Sequence, residues 1–412
     1  MRLAVLAHSF PRFPGDTHGP FVKRLSEAVA ARGHRVHALV PFDPELRPDP
    51  TTPLAIESFR YVWPDRWHRL GYSRTLKRDV GLRLWAYAQA PLYFAFAERA
   101  LARLIRRRGI EMVHAHWILP NGFVAARAAR RAGIPFAVTL HGSDVFMAER
   151  NPLFGRMARQ ALAGAAHVTS CSAELKERLL ALGGRRHEAK VLLVPNGTDL
   201  ATPDGSGAEE LRRRFGIGPE ERLVVAVGRL VDKKGFSYLL EAVPAILERE
   251  PRARIVIGGG GDLEAELRAL AASLGVAGRV TFTGGLSHPQ VLGLIAAGEV
   301  FVMPSVRDPK GNVDGLPIVV LEAMAAARPV VGTAISGLPL AVVDGETGLL
   351  VPEKDPAALA GAVSELLADP RRAAALGRAG EQRVREELTW DSVAAIHDRL
   401  YARAVTAESE SL

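Results

Sequence analysis

The chain has 412 residues, 48% of them hydrophobic and 24% charged, with a formal net charge of +8 and a pI near 9.9. That length exceeds what one hydrophobic core supports and suits two domains, and the composition excludes a disordered or fibrous chain. Cys171 is the only cysteine, which rules out an intrachain disulfide and makes a reducing cytoplasm the expected setting.

Apolar runs of strand length alternate with amphipathic segments of helix length along the chain. The opening apolar run ends at His8, too soon for a signal segment, and no apolar run reaches the roughly 18 residues of a membrane-spanning helix. A first strand is expected at Leu3 to Ala7, followed by the loop Gly15-Asp-Thr-His-Gly19 and a helix that ends near Gly33. Further strands are expected at Val36 to Val40, Met112 to Ala115, Phe136 to Leu140, Val168 to Ser170 and Val191 to Val194. After the Gly-rich stretch Ala201 to Ala208 the pattern restarts, with strands at Leu223 to Val227, Arg254 to Ile257, Val280 to Thr283, Val300 to Met303 and Pro329 to Val331. Each run is continuous in Val, Leu and Ile rather than alternating, as in parallel strands covered on both faces. Strand and helix alternating twice over predict an α/β protein of two doubly wound, Rossmann-like domains, residues 1–200 and 201–385. Trp390 to Ala404 reads as a helix and Glu408 to Leu412 as a frayed tail.

In such sheets ligands bind beyond the carboxyl ends of the strands, where the unusual residues of this chain cluster. The loop at Gly19 opens a helix whose amides could receive a phosphate. His114-Ala-His116 and His141-Gly-Ser-Asp144 end two later strands; the first pair hints at a metal, but no third ligand and no Asp-x-Asp cluster accompanies it, so a metal-independent site is expected. In the second half, Gly228-Arg229-Leu-Val-Asp-Lys233-Lys234-Gly235 follows a strand directly, and Arg229 and Lys234 there suit a diphosphate. Gly258 to Gly261, with Gly259 among them, would let a base or ribose approach the backbone, although the spacing is not that of a dinucleotide fingerprint. Asp314 and Glu322, with seven residues between them, straddle a loop and the helix it opens, so both could face one ligand that carries phosphate and sugar.

The positive charge comes partly from Arg103, Arg106, Arg107 and Arg108 and from Arg127, Arg130 and Arg131. No nucleic-acid motif accompanies it, which argues against nucleic acid as a partner. An Arg-rich composition accounts for it, and so does an anionic membrane surface, because Trp63 and Trp67 are interleaved with cations and the run Leu82 to Phe96 is rich in aromatics and Leu.

As a set, Gly19, His141-Gly-Ser-Asp144, Pro195-Asn-Gly197, Gly228-Arg229 with Lys234-Gly235, the glycines at 258, Pro304-Ser305 and the acid pair of Asp314 and Glu322 resemble the retaining glycosyltransferases of family 4. The resemblance covers nearly the whole chain. It implies the GT-B architecture, two Rossmann-like domains facing across a cleft, an N-terminal one for the acceptor and a C-terminal one for the donor, with a last helix from 386 to 412 crossing back. It further implies transfer of a sugar from a nucleotide-diphosphate sugar to an acceptor hydroxyl of a glycan or lipid-linked substrate, without a metal cofactor. Arg229 and Lys234 would hold the diphosphate, Glu322 the ribose, Gly19 and Gly259 the donor through their backbones, and His141 and Asp314 the transferring sugar. The family's usual first acid is Glu, and the shorter Asp314 leaves the sugar open. Another nucleotide-sugar enzyme of this architecture, an epimerase or phosphorylase, or a non-catalytic nucleotide-sugar sensor, would share the donor edge. The expected location is the cytoplasm, including the inner face of the membrane.

Overall fold

The structure, a computed structural model, describes residues 1–72, 76–77, 81–82, 84–200 and 206–410. The chain divides into two compact units, Met1–Val194 with Trp390–Leu412, and Pro195–Thr389.

In the first unit the strands are β1 (Arg2–Leu6), β2 (Arg35–Pro41), β3 (Ala55–Phe59), β4 (Leu76–Lys77), β5 (Gly81–Leu82), β6 (Met112–His116), β7 (Phe136–Leu140), β8 (His167–Ser170) and β9 (Val191–Leu193). Seven of them form one parallel sheet in the order β3-β2-β1-β6-β7-β8-β9, while β4 and β5 pair antiparallel with each other. The helices between them are α1 (Pro20–Ala31), α2 (Leu84–Arg108), α3 (Phe123–Ala132), α4 (Ser143–Arg150), α5 (Pro152–Gly164) and α6 (Ala173–Gly183). Every residue of β6, β7 and β8 is buried, as in parallel strands covered by helices on both faces, the polar His114, His116, Thr139, His167, Thr169 and Ser170 included.

The second unit repeats the plan with α7 (Ser206–Arg214), β10 (Arg222–Val227), α8 (Phe236–Arg249), β11 (Ala253–Gly258), α9 (Glu264–Ser273), β12 (Val280–Phe282), α10 (His288–Ala297) and β13 (Val300–Met303). It continues through α11 (Ile318–Ala325), β14 (Val330–Thr333), α12 (Leu338–Ala341), β15 (Gly348–Val351), α13 (Pro356–Ala368) and α14 (Pro370–Glu387). Its parallel sheet runs β12-β11-β10-β13-β14-β15. The core here is Val224, Ile255 and Val302 from the strands against Leu239, Val243 and Leu366 from α8 and α13.

Three findings depart from the sequence expectation. The break between units falls at Val194 and Pro195 rather than after residue 200. The side chain of Asn196 donates to the Leu316 carbonyl at 2.9 Å, and the Thr198 amide donates to the Leu388 carbonyl at 2.9 Å, which ties this stretch to the second unit. Residues 201–205 of the Gly-rich stretch lie outside the described residues. The return occurs at Trp390 rather than 386, because α14 runs to Glu387 inside the second unit. From there α15 (Trp390–Glu410) packs on the first unit, with no Gly or Pro to stop it, so residues 408–410 are helical rather than frayed, and 411–412 lie outside the described residues. It is held there by Arg32 on Asp391 at 3.2 Å, His34 on Asp398 at 2.8 Å and Tyr401 on His114 at 2.7 Å.

Candidate active site at the sheet switch points

Each sheet reverses its strand order once, between β1 and β6 in the first unit and between β10 and β13 in the second. Beyond the carboxyl ends at such a point two loops diverge and leave a crevice. The residues singled out from the sequence sit in loops and helix starts around these two points.

In the second unit, the loop after β10 ends in a single turn, Asp232–Lys234, that hands the chain to α8. The loop between β13 and α11 carries Asp314. The two loops are stitched together by the Val306 amide, which donates to the Lys233 carbonyl at 2.9 Å. Lys234 Nζ lies 2.6 Å from Asp314 Oδ2, and Lys233 Nζ lies 3.1 Å from Oδ1. Burial works against charge on Asp314, but the two ammonium groups outweigh it and hold the carboxyl well below its usual range. The backbone of Asp314 is fixed as well, its carbonyl accepting from the Ser336 hydroxyl. Arg229 lies in the same loop as the lysines, which turns tightly there as the Val231 amide donates to the Arg229 carbonyl at 2.9 Å.

Glu322 lies in the second turn of α11, and its Oε1 accepts from His288 Nε2 at 2.8 Å. His288 is the first residue of α10, placed there by a capping box between Ser287 and Gln290. Sequence reasoning missed it: the contact joins two helices 34 residues apart in the chain. Gly259 has φ +122°, its amide donates to the Gly284 carbonyl at 3.0 Å, and a Cβ there would stand 2.1 Å from the Gly228 carbonyl oxygen. Its lack of a side chain is therefore already required by the packing of the β11 loop on the β10 loop.

In the first unit Gly19 caps α1 in a left-handed conformation, φ +63°, and a Cβ would meet the Ser9 carbonyl oxygen at 2.5 Å. His141 follows β7, with its ring 4.4 Å from Trp117 and 4.7 Å from Phe21 by centroid. Its Nε2 is 3.0 Å from His116 Nδ1. Burial, assisted by neighbouring imidazoles, lowers its pKa to about 3, so the ring is neutral at physiological pH. Asp144, the last residue of that motif, is fully buried and turns back to accept from the Ile118 amide at 2.6 Å and the Gly142 amide at 3.0 Å. Burial pushes its carboxyl up to about 6 against the pull of these amides. Asp144 thus pins the loops after β6 and β7 to each other.

His114 is not a free ligand, since its ring nitrogens lie 2.7 Å from Thr139 Oγ1 and 2.7 Å from the Tyr401 hydroxyl. Among the described residues no group of three or more His, Cys, Asp or Glu is placed to hold a metal ion. No helix among them is long and apolar enough to cross a membrane.

The model of the family described as "Glycosyl transferases group 1" matches residues 207–383, and that of "Glycosyltransferase Family 4" matches residues 19–202. The GDP-mannose-dependent alpha-(1-6)-phosphatidylinositol monomannoside mannosyltransferase of Mycobacterium tuberculosis is 36% identical over 296 residues, 72% of this chain and 76% of that protein. The chain belongs to glycosyltransferase family 4. Another relative is the alpha-D-kanosaminyltransferase of Streptomyces kanamyceticus, 30% identical over 85% of this chain and 90% of that one. Among solved structures, sucrose-phosphate synthase from Thermosynechococcus elongatus superposes with a TM-score of 0.73 at 25% identity, covering 98% of this chain and 99% of that one. This family 4 glycosyltransferase therefore has the GT-B fold expected from its motifs, and the enzymatic reading replaces that of a sensor.

Proposed function

We propose that this enzyme binds a nucleoside-diphosphate hexose on the second unit, with Arg229 and Lys234 at the diphosphate, Glu322 at the ribose and Asp314 at the sugar, and passes the hexose to an acceptor hydroxyl with retention of configuration and without a metal. The observation that carries this reading is the pairing of Lys233 and Lys234 with Asp314. An ammonium group has three donors, so Lys234 can stay on Asp314 and still reach phosphate oxygens. Asp314 thereby orients the cation that would stabilise the departing diphosphate. His141, neutral and packed between Trp117 and Phe21, suits a hydrogen bond to the sugar rather than proton transfer to it.

The mycobacterial relative makes GDP-mannose the first donor to try and a lipid-borne acceptor the first acceptor class. We also infer peripheral contact with an anionic membrane. The test is a panel of UDP-, GDP- and ADP-hexoses assayed for transfer and donor hydrolysis in excess chelator, with the anomeric configuration of the product read by NMR. Turnover of at least one donor with EDTA present and an α-linked product from an α-donor are expected. Loss of activity on chelation, restored by Mg²⁺ or Mn²⁺, would refute the metal-independent reading.

A further inference from the structure

Four of the large exposed apolar side chains of the first unit, Trp63, Trp67, Leu92 and Phe96, lie in the loop after β3 or on α2. Trp63 is 82% exposed and Trp67 51% exposed in the loop after β3, and the Trp67 carbonyl accepts from the Gln89 side chain of α2 at 3.2 Å. On α2 itself Tyr93, Ala97, Leu101 and Leu104 face the core. The opposite face shows Leu92 and Phe96, 46% and 39% exposed, and then Arg99, Arg103 and Arg106, all exposed. Steps of four, three, four and three residues keep these five side chains on one helical face. None of these three arginines has an ion-pair partner among the described residues, whereas the neighbouring Arg127 and Arg131 share Glu98.

We propose that this face, the Trp63 loop with the outer side of α2, is the surface that docks onto a bilayer carrying anionic lipid. The proposal rests on the membrane reading above and names its site; it does not depend on which sugar moves. Indole rings and Leu92 enter the interfacial zone while the guanidinium groups meet lipid phosphates, a division that matches the two halves of the stripe. A second copy of the chain fits worse, because a two-fold contact would set the arginines against themselves. Nucleic acid would satisfy the cations and leave Trp63 and Leu92 in water.

The test is co-sedimentation of the full chain with vesicles of phosphatidylcholine alone or doped with phosphatidylglycerol. Binding is expected only to the doped vesicles, falling with salt. Combining Arg99→Glu, Arg103→Glu and Arg106→Glu should weaken it by about tenfold or more, and Trp63→Ser should weaken it further, with hydrolysis of a soluble donor unchanged as the check on folding and on the transferase site. Equal sedimentation with both vesicle types, no effect of charge reversal, a wild-type dimer that these variants dissociate, or tighter binding to duplex DNA than to doped vesicles would overturn the assignment.

A second inference rests on the His116 and His141 rings. They share one proton across 3.0 Å, and both are neutral, His116 being held well below its usual range by burial. Among the described residues His116 Nε2 is buried with no partner, and the residue is only 1% exposed. If His141 Nε2 carried the shared proton, His116 would be left with a buried N–H and no acceptor, and orphaned buried N–H groups are rarer than unpaired acceptors. The geometry therefore assigns the shared proton to His116 Nδ1 and the proton of His141 to its Nδ1, which makes His141 a fixed hydrogen-bond donor. His116 is a positioning residue that touches no substrate and acts through His141.

Long-range ¹⁵N correlation spectra, with the His141 signals identified by their absence in His141→Gln, read the tautomer directly. Wild type should show His141 protonated at Nδ1. His116→Leu should lose that preference and lower kcat by about tenfold with donor KM little changed, while His116→Asn, whose amide N–H stands where Nδ1–H stood, should restore most of both. His141 protonated at Nε2 in wild type, or His116→Leu with unaltered spectra and kcat, would overturn the assignment.

Discussion

Asp314 and Glu322 look alike in the sequence, and the structure gives them different partners. Asp314 pairs with two lysines, whereas Glu322 meets a single imidazole. Glu322→Gln exchanges an acceptor oxygen for an amide donor, and should weaken binding of the free nucleoside diphosphate by about 1–3 kcal/mol through a mismatched ribose hydroxyl. Asp314→Asn should do the opposite to that product. It removes a negative charge that competes with phosphate for Lys233 and Lys234, so affinity for the diphosphate should rise by about fivefold while kcat/KM for the intact donor falls. Calorimetry on both variants separates the roles, and equal weakening of the diphosphate by both would show them to be wrong. What was legible here was chain-local: the spacing of the two acids and the adjacency of Lys234 to a strand end. His288 was not legible, because its meeting with Glu322 is made by the packing of α10 against α11. The partnership of His116 with His141 was within reach, since parallel pairing of β6 with β7 sets His116 opposite Thr139, two residues before His141.

Among the elements, the central strands were legible because burial on both faces favours apolar runs: β13 is apolar throughout, and β6 and β7, buried throughout, interrupt the run only at His114, His116 and Thr139. The edge strand β3 was not, since Glu57 and Ser58 sit where one side of the strand meets solvent, and β15 at the other sheet's edge is announced only by Gly348-Leu-Leu-Val. The last helix shows how a single buried contact can decide placement. Tyr401, 1% exposed, bonds His114 at 2.7 Å, and His114 in turn lies 2.7 Å from Thr139 Oγ1, which is 2.7 Å from Thr169 Oγ1, so α15 is joined to three adjacent strands. Tyr401→Phe keeps the ring and strips the hydroxyl, leaving His114 Nδ1 buried and unpaired. The expected loss is about 1–3 kcal/mol of stability, read as a lower urea midpoint with unchanged m; an unshifted midpoint would mean that the hydroxyl does not hold α15.

At the scale of the whole molecule the two units repeat one plan but differ in how acid should affect them. Every histidine except His288 lies in the first unit. Burial lowers His8 and His167 to about 4, His141 and His397 to about 3, and His114 and His116 well below their usual range. A histidine whose folded pKa is depressed contributes stability that is complete above its unfolded pKa near 6.5 and is lost as pH falls toward the folded value. Each such ring removes about 1.4 kcal/mol per pH unit below that point. Several acting together should exceed a domain stability of about 5–15 kcal/mol within roughly two units. Asp144 runs the other way, because a carboxyl raised to about 6 gains relative stability as pH falls from 6 toward 4, but it is one group against six. In the second unit Asp314 is depressed, so its contribution persists until pH drops below the unfolded carboxyl value near 4. The first unit should therefore unfold between about pH 6 and 4.5 while the second stays folded. All five tryptophans lie in the first unit, so their fluorescence reports on it alone, and far-UV circular dichroism reports on both. The expected result is a complete tryptophan transition accompanied by loss of about half the ellipticity, with the remainder disappearing only in stronger acid. Coincident transitions by the two probes, or tryptophan emission unchanged down to about pH 4, would show that the buried imidazoles do not govern the acid limit of this fold.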